Sequence, residues 1–237
     1  MDPRFQTTRW SLILAARSGR SPDSREALEA LCKAYWFPLY AFIRRLGFGA
    51  DEARDLTQGY FARLIEHRDL KDVRPDLGRF RSFLLGSVKH FVSNELDRQR
   101  AKKRAPERPL LSLDATEAER LYRFEPVDAL TPESVFERKW AATVVQRTLE
   151  RLGAESSGSP RAARFEALRG HLAGEGPETS HRDLGVRLGM TEDAVKVTLH
   201  RLRRRFGELL REEIRDTVRD RDDVDDEIRH LLGVLKS

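Results

Sequence analysis

Residues Ser180–Leu210 read SHRDLGVRLGMTEDAVKVTLHRLRRRFGELL. Ser180 with Asp183 three residues on is a capping box, Leu184 and Leu188 repeat at one helical turn, and Gly189 can supply the left-handed residue that ends a short helix. Thr191 then caps a second helix. Along it Val195, Leu199, Leu202, Phe206 and Leu209 recur at three- and four-residue spacing and make one apolar stripe. Lys196, His200, Arg201, Arg203, Arg204 and Arg205 fall mostly off that stripe. A short helix, a glycine turn and a longer basic helix form a helix-turn-helix, the arrangement that lays side chains in a DNA major groove.

Upstream, almost every segment repeats its apolar residues at the helical period, so an all-α fold is expected. An opening helix around Thr7 to Arg17 carries Trp10, Ile13 and Leu14. Residues 24 to 47 follow, with Leu28, Leu31, Tyr35, Leu39, Phe42 and Leu46 on one face, and Pro38 is expected to kink this helix or to start a new one. From Asp51, the residues Ala53, Leu56, Tyr60, Leu64 and Ile65 face inward. A turn at Pro75–Gly78 leads to a long helix with Phe80, Leu84, Val88 and Phe91 as its buried row. That helix runs out through Arg98, Arg100, Lys102, Lys103 and Arg104 with no acid among them, and Pro106 and Pro109 stop it. Such a run repels itself without a counter-charge, and phosphates supply one. Thr131-Pro132 starts a helix to about Leu152 bearing Val135, Trp140, Val144, Val145 and Leu149. A loop from Gly153 to Pro160 and a short helix from Phe165 to Leu172 then lead into the helix-turn-helix.

Two small helical domains follow from this pattern, residues 1–104 and 131–215, joined by a linker at 105–130 and trailed by an extension at 216–237. A chain of 237 residues, 39% hydrophobic, suffices to build both cores. A net charge of +5 makes the surface mildly basic, so the local distribution of charge matters more than its total. The single cysteine, Cys32, excludes an internal disulfide and reads as a buried small hydrophobe suited to a reducing cytoplasm. No apolar run approaches the roughly 20 residues of a membrane span, and MDPRFQTTRW lacks a signal-peptide layout, so a cytoplasmic protein is expected. In the extension, acids from Asp216 to Glu227 precede Val224, Ile228, Leu231 and Leu235, and the helix macrodipole favours acids at such an N-terminus. A metal or phosphoryl site at Asp222, Asp223, Asp225 and Asp226 lacks a spaced partner. The six histidines never pair at metal-ligand spacing, and neither a P-loop nor a nucleophile elbow is present, so no cofactor and no enzymatic activity are expected.

Three segments in order, DEARDLTQGYFARLIE (Asp51–Glu66), GRFRSFLLGSVKHFVSNELDRQRAKKR (Gly78–Arg104) and EDAVKVTLHRLRRRFGELL (Glu192–Leu210), resemble bacterial RNA polymerase sigma factors of the extracytoplasmic-function subfamily. The resemblance covers most of residues 5 to 215. It implies a region-two-like bundle and a region-four-like helix-turn-helix domain, with core RNA polymerase (β′ clamp helices and β flap) and promoter DNA as partners. The first segment would dock on the clamp helices through Asp51, Glu52, Asp55, Gln58 and Phe61. The second would read and melt the minus-ten element through Arg81, Lys89, Asn94, Arg98, Arg100, Lys102, Lys103 and Arg104, with Phe80, Phe83 and Phe91 available for unstacking bases, although Phe80 and Phe91 also fit the buried row. The third would read the minus-thirty-five element, with Glu192, Asp193, Lys196, His200 and Arg201 toward base edges and Arg203 and Arg204 toward phosphates.

The docking segment departs from the family, which carries more acids there. Arg54 replaces one and Gly59 stands at a later position. Thr57 lies among them, and a phosphate there would add roughly −1.5 to −2 charges, which makes it a candidate phosphosite for a Ser/Thr kinase. An anti-sigma factor is a further candidate partner. The extension could fold back on Arg201 to Arg205 or recruit a regulator. The rival reading is a helix-turn-helix transcriptional regulator whose N-terminal bundle senses a signal or dimerises.

Overall fold

The computed structural model describes residues 22–66, 79–101, 119, 122, 130–156, 161–172, 180–218 and 223–236. The expected opening helix at 7–17 and the turn at 75–78 lie outside the described residues. Among the described residues there are eight helices and no strand: α1 Pro22–Arg45, α2 Ala50–Ile65, α3 Phe80–Ala101, α4 Pro132–Glu155, α5 Arg161–Arg169, α6 His181–Leu188, α7 Glu192–Arg215 and α8 Asp223–Lys236. None is long and apolar enough to cross a membrane.

The chain divides into two compact units, Met1–Thr143 with Arg215–Ser237, and Val144–Ile214. This partition differs from the expected one at both ends of the second domain. The boundary falls inside α4 rather than before it, and the C-terminal extension belongs to the first unit.

In that unit α1 supplies Cys32, Tyr35, Trp36, Leu39, Tyr40, Phe42 and Ile43 to the core. Pro38 lies inside α1 without ending it. A proline in a helix interior costs about 3 kcal/mol, and burial of the large side chains on either side of Pro38 offsets it. Tyr35 meets Phe80 edge-on at 5.1 Å between ring centres, and its hydroxyl accepts a hydrogen bond of 3.0 Å from Trp140 Nε1. From α2 come Ala53, Leu56, Tyr60, Phe61 and Leu64, and from α3 Phe80, Phe83, Leu84, Val88, Phe91 and Val92. The linker is described at Glu119 and Tyr122. Glu119 accepts from Tyr40 at 2.6 Å and from two nitrogens of Arg44 at 3.1 Å, and Arg44 lies 4.8 Å over the Tyr122 ring. Burial, then the hydrogen bond and charge of Glu119, push the Tyr40 hydroxyl above its ordinary pKa.

The extension joins this unit through a pair of opposite charges. Glu227 is 1% exposed and holds the Arg81 guanidinium through Nε at 2.5 Å and Nη2 at 3.2 Å. Arg79 reaches the same carboxylate at 3.2 Å, and Glu137 on α4 takes Arg81 Nη1 at 2.6 Å. His230 Nε2 lies 2.9 Å from the other oxygen of Glu137, and Arg81 stacks 5.1 Å over Trp140. Burial alone would lower the pKa of Arg81, but Glu227 and then Glu137 raise it, so the guanidinium stays charged. The Phe80 N–H donates to Thr217 O at 2.9 Å, beside an isolated antiparallel bridge between Arg79 and Val218. The inward row of α8 is Val224, Glu227 and Leu231, whereas Ile228 is half-buried and Leu235 exposed.

Candidate nucleic-acid interface

In the second unit, Leu152, Phe165, Leu168, Leu172, Leu184, Val195, Leu199 and Leu209 form one core, with Leu149, Leu188, Met190, Leu202 and Phe206 packed against it. The apolar stripe read from the sequence of α7 is the stripe that faces inward. At the start of α6, Ser180 Oγ accepts the Asp183 N–H at 3.1 Å and donates to the Asp183 carboxylate at 2.8 Å. Gly189 ends α6 at φ +63°, the left-handed region that glycine enters without strain. The Met190 N–H bonds Gly185 O at 2.8 Å and the Gly189 N–H bonds Val186 O at 3.4 Å, a Schellman closure. Thr191 Oγ1 then accepts the Ala194 N–H at 3.2 Å and opens α7.

Gly185 matters to this turn, although the sequence reading passed over it. A Cβ there would lie 2.6 Å from Met190 O, so the close approach of the turn to α6 requires glycine. The available signal was a second glycine four residues before the first, inside an otherwise amphipathic helix.

Opposite the buried row, α7 exposes Asp193, Lys196, Val197, His200, Arg201 and Arg204, which recur at the helical period and so share one face. Lys196 Nζ lies 2.7 Å from Glu192 and 3.9 Å from Asp193. Its hydrogen bond to Glu192, and then the opposite charges, raise the lysine pKa and lower the glutamate pKa, so both remain charged near neutrality. Arg201 has no hydrogen-bond or ion-pair partner among the described residues. Arg204 bonds Glu208 at 3.2 Å. Arg203, expected at phosphates, donates to His171 O at 2.8 Å and so closes the turn after α5. Arg205 is clamped by Glu155 at 2.6 Å and Glu208 at 3.0 Å.

Within the first unit, Glu227 of α8 reaches Arg79 and Arg81, and His230 reaches Glu137. Charge at the buried Arg81 needs a buried acid, and Glu227 fills that need.

In the first unit the expected residues separate. On α3, Lys89, Asn94 and Arg98 share the exposed face with Ser82, His90 and Asp97. Lys89 pairs with Glu133 at 2.7 Å and Arg98 with Glu95 at 3.3 Å. Arg81 is 7% exposed and committed to Glu227 and Glu137, so its assignment to DNA is corrected. Phe83, like Phe80 and Phe91, is buried and offers no stacking surface. The Arg100 side chain, and Lys102, Lys103 and Arg104, lie outside the described residues.

On α2, Asp51, Glu52 and Asp55 are exposed and Gln58 half-buried. Arg54 bridges Asp51 at 3.0 Å and Asp55 at 3.5 Å, so it neutralises the two acids that flank it. Phe61 is fully buried beside Tyr60 and leaves the docking set. Thr57 is also fully buried, its hydroxyl donating to Ala53 O at 2.7 Å. A kinase cannot reach that hydroxyl in this conformation, and burying a dianionic phosphate there would be costly, so the described structure does not favour the expected phosphosite.

Comparison with known protein families, curated proteins and solved structures finds no match to this chain. Among the described residues, no group of three His, Cys, Asp or Glu side chains could hold a metal ion.

Proposed function

We propose that this chain is a sigma factor of the extracytoplasmic-function kind, a cytoplasmic and dissociable subunit that binds core RNA polymerase and directs promoter-specific initiation. The observation that carries DNA binding is the exposed face of α7, where Lys196, Val197, His200, Arg201 and Arg204 stand opposite the buried row on a helix entered through the Gly189 turn. Such a helix fits a major groove, with its N-terminal residues toward base edges and Arg204 toward a phosphate. Support for polymerase binding is the exposed acidic start of α2, Asp51, Glu52 and Asp55, in the segment that resembles the clamp-docking region. Lys89, Asn94 and Arg98 on α3 would meet the minus-ten element. The protein performs no catalytic step itself; polymerase makes the RNA.

The test adds the full chain to core polymerase and a library of promoter-bearing templates and maps transcript starts. Starts that appear only with the chain, at a shared upstream sequence, support the proposal. If the chain binds duplex DNA but neither captures core polymerase nor redirects initiation, the helix-turn-helix regulator is the correct reading.

A further inference from the structure

Val197 is half-exposed, at 50%, in the middle of a face otherwise made of charged and ionisable side chains. It stands between Lys196 and His200, one turn before Arg201 and two before Arg204, so it lies within the stripe rather than at its end. The core of this unit does not need it, because Val195 and Leu199, on either side in sequence, are the buried pair. Solvent exposure of a branched apolar side chain there brings no benefit to folding and a modest hydration cost.

Resting on the reading of α7 as a major-groove helix, we infer that Val197 is a specificity-determining residue that reads the 5-methyl group of a thymine. The major groove presents hydrogen-bond donors and acceptors on every base pair, and the thymine methyl is its one apolar feature. Val197 has no hydrogen-bonding atom in its side chain, so the contact it can make with a base edge is with that methyl. Its neighbours divide the remaining chemistry. The Lys196 ammonium suits a guanine edge and Glu192 or Asp193 can accept from a cytosine amine. Val197 stiffens the choice, because a β-branched side chain in a helix holds one rotamer and presents its methyls in a fixed direction.

The test first selects preferred duplexes from a randomised pool using the full chain bound to core polymerase. Each thymine of the selected sequence is then replaced singly by uracil, which keeps every hydrogen-bonding group and lacks the methyl alone. The wild-type chain should lose about three- to fivefold in affinity at one thymine within the segment covered by α7. Val197→Ser should bind the thymine and uracil duplexes equally at that position, with circular dichroism unchanged. If no uracil substitution weakens the wild type, or if Val197→Ser keeps the same methyl preference, the inference is overturned while sequence-specific binding stands. If no sequence is enriched at all, the major-groove reading of α7 fails and the role of Val197 fails with it.

Discussion

Arg54 shows how one side chain can change the value of its neighbours. Its position between Asp51 and Asp55 places it within reach of both carboxylates, at 3.0 and 3.5 Å. Exposed pairs of this kind are worth about 0.2–1 kcal/mol each, little for stability but enough to compete with a partner that needs the same acids. Arg54→Gln is therefore expected to tighten binding to core polymerase by about three- to tenfold at low salt, with the gain shrinking as ionic strength rises. A titration of labelled chain with core enzyme at two salt concentrations measures this, and an unchanged affinity would count against docking through these acids. Thr57 illustrates the opposite limit of residue-level reading. Its neighbours Leu56 and Tyr60 lie on the buried row, and the helical period carries Thr57 inward with them. The hydroxyl is satisfied within its own helix by Ala53 O, which is why a polar residue can occupy that place at all.

At the level of elements, the helix-turn-helix was the most legible part of the chain. Its caps, its left-handed glycine and its inward row are all local, and local patterns survive in sequence because they depend on spacing of three and four residues. Gly185 is the exception, since its requirement comes from the backbone folding back on it. Gly185→Ala would place a methyl 2.6 Å from Met190 O, and the turn must open to admit it. A loss of about 1–3 kcal/mol in the stability of the second unit is expected, together with loss of duplex binding, measured by thermal melting and by gel shift. A variant as stable as wild type would mean that the turn accommodates the methyl by a cheap shift. In α3 the spacing also carried a signal that was missed. Arg81 precedes Leu84 by three residues and Val88 by seven, which sets it on the buried row, and its charge alone suggested a DNA face. Glu227 likewise sits three after Val224 and four before Leu231.

Those two misplaced charges meet, and their meeting organises the first unit. Breaking a buried pair from one side leaves the other charge stranded, at a cost of about 3–5 kcal/mol, whereas replacing both partners with apolar groups is often neutral. Glu227→Gln should therefore destabilise the first unit by that amount, and Arg81→Met combined with Glu227→Leu should recover most of it. Denaturant unfolding followed by tryptophan fluorescence reads the effect, since Trp36 and Trp140 lie in this unit and Arg81 stacks on Trp140. A single variant that loses less than about 1 kcal/mol would show that the network adds little.

From sequence alone came the helical character of the chain, the bounds of most elements, the acids at the start of α8 and the basic face of α7. These depend on contacts within a turn or two, where periodicity and capping chemistry act. Tertiary structure decided that the C-terminal extension packs into the first unit, that Arg81 serves the fold, that Thr57 and Phe61 are interior, and that the unit boundary runs through α4. Each of these turns on groups far apart in the chain, such as Arg81 and Glu227. Whether a charge on an apolar row is buried depends on finding a counter-charge across space, and spacing along one helix cannot reveal that partner.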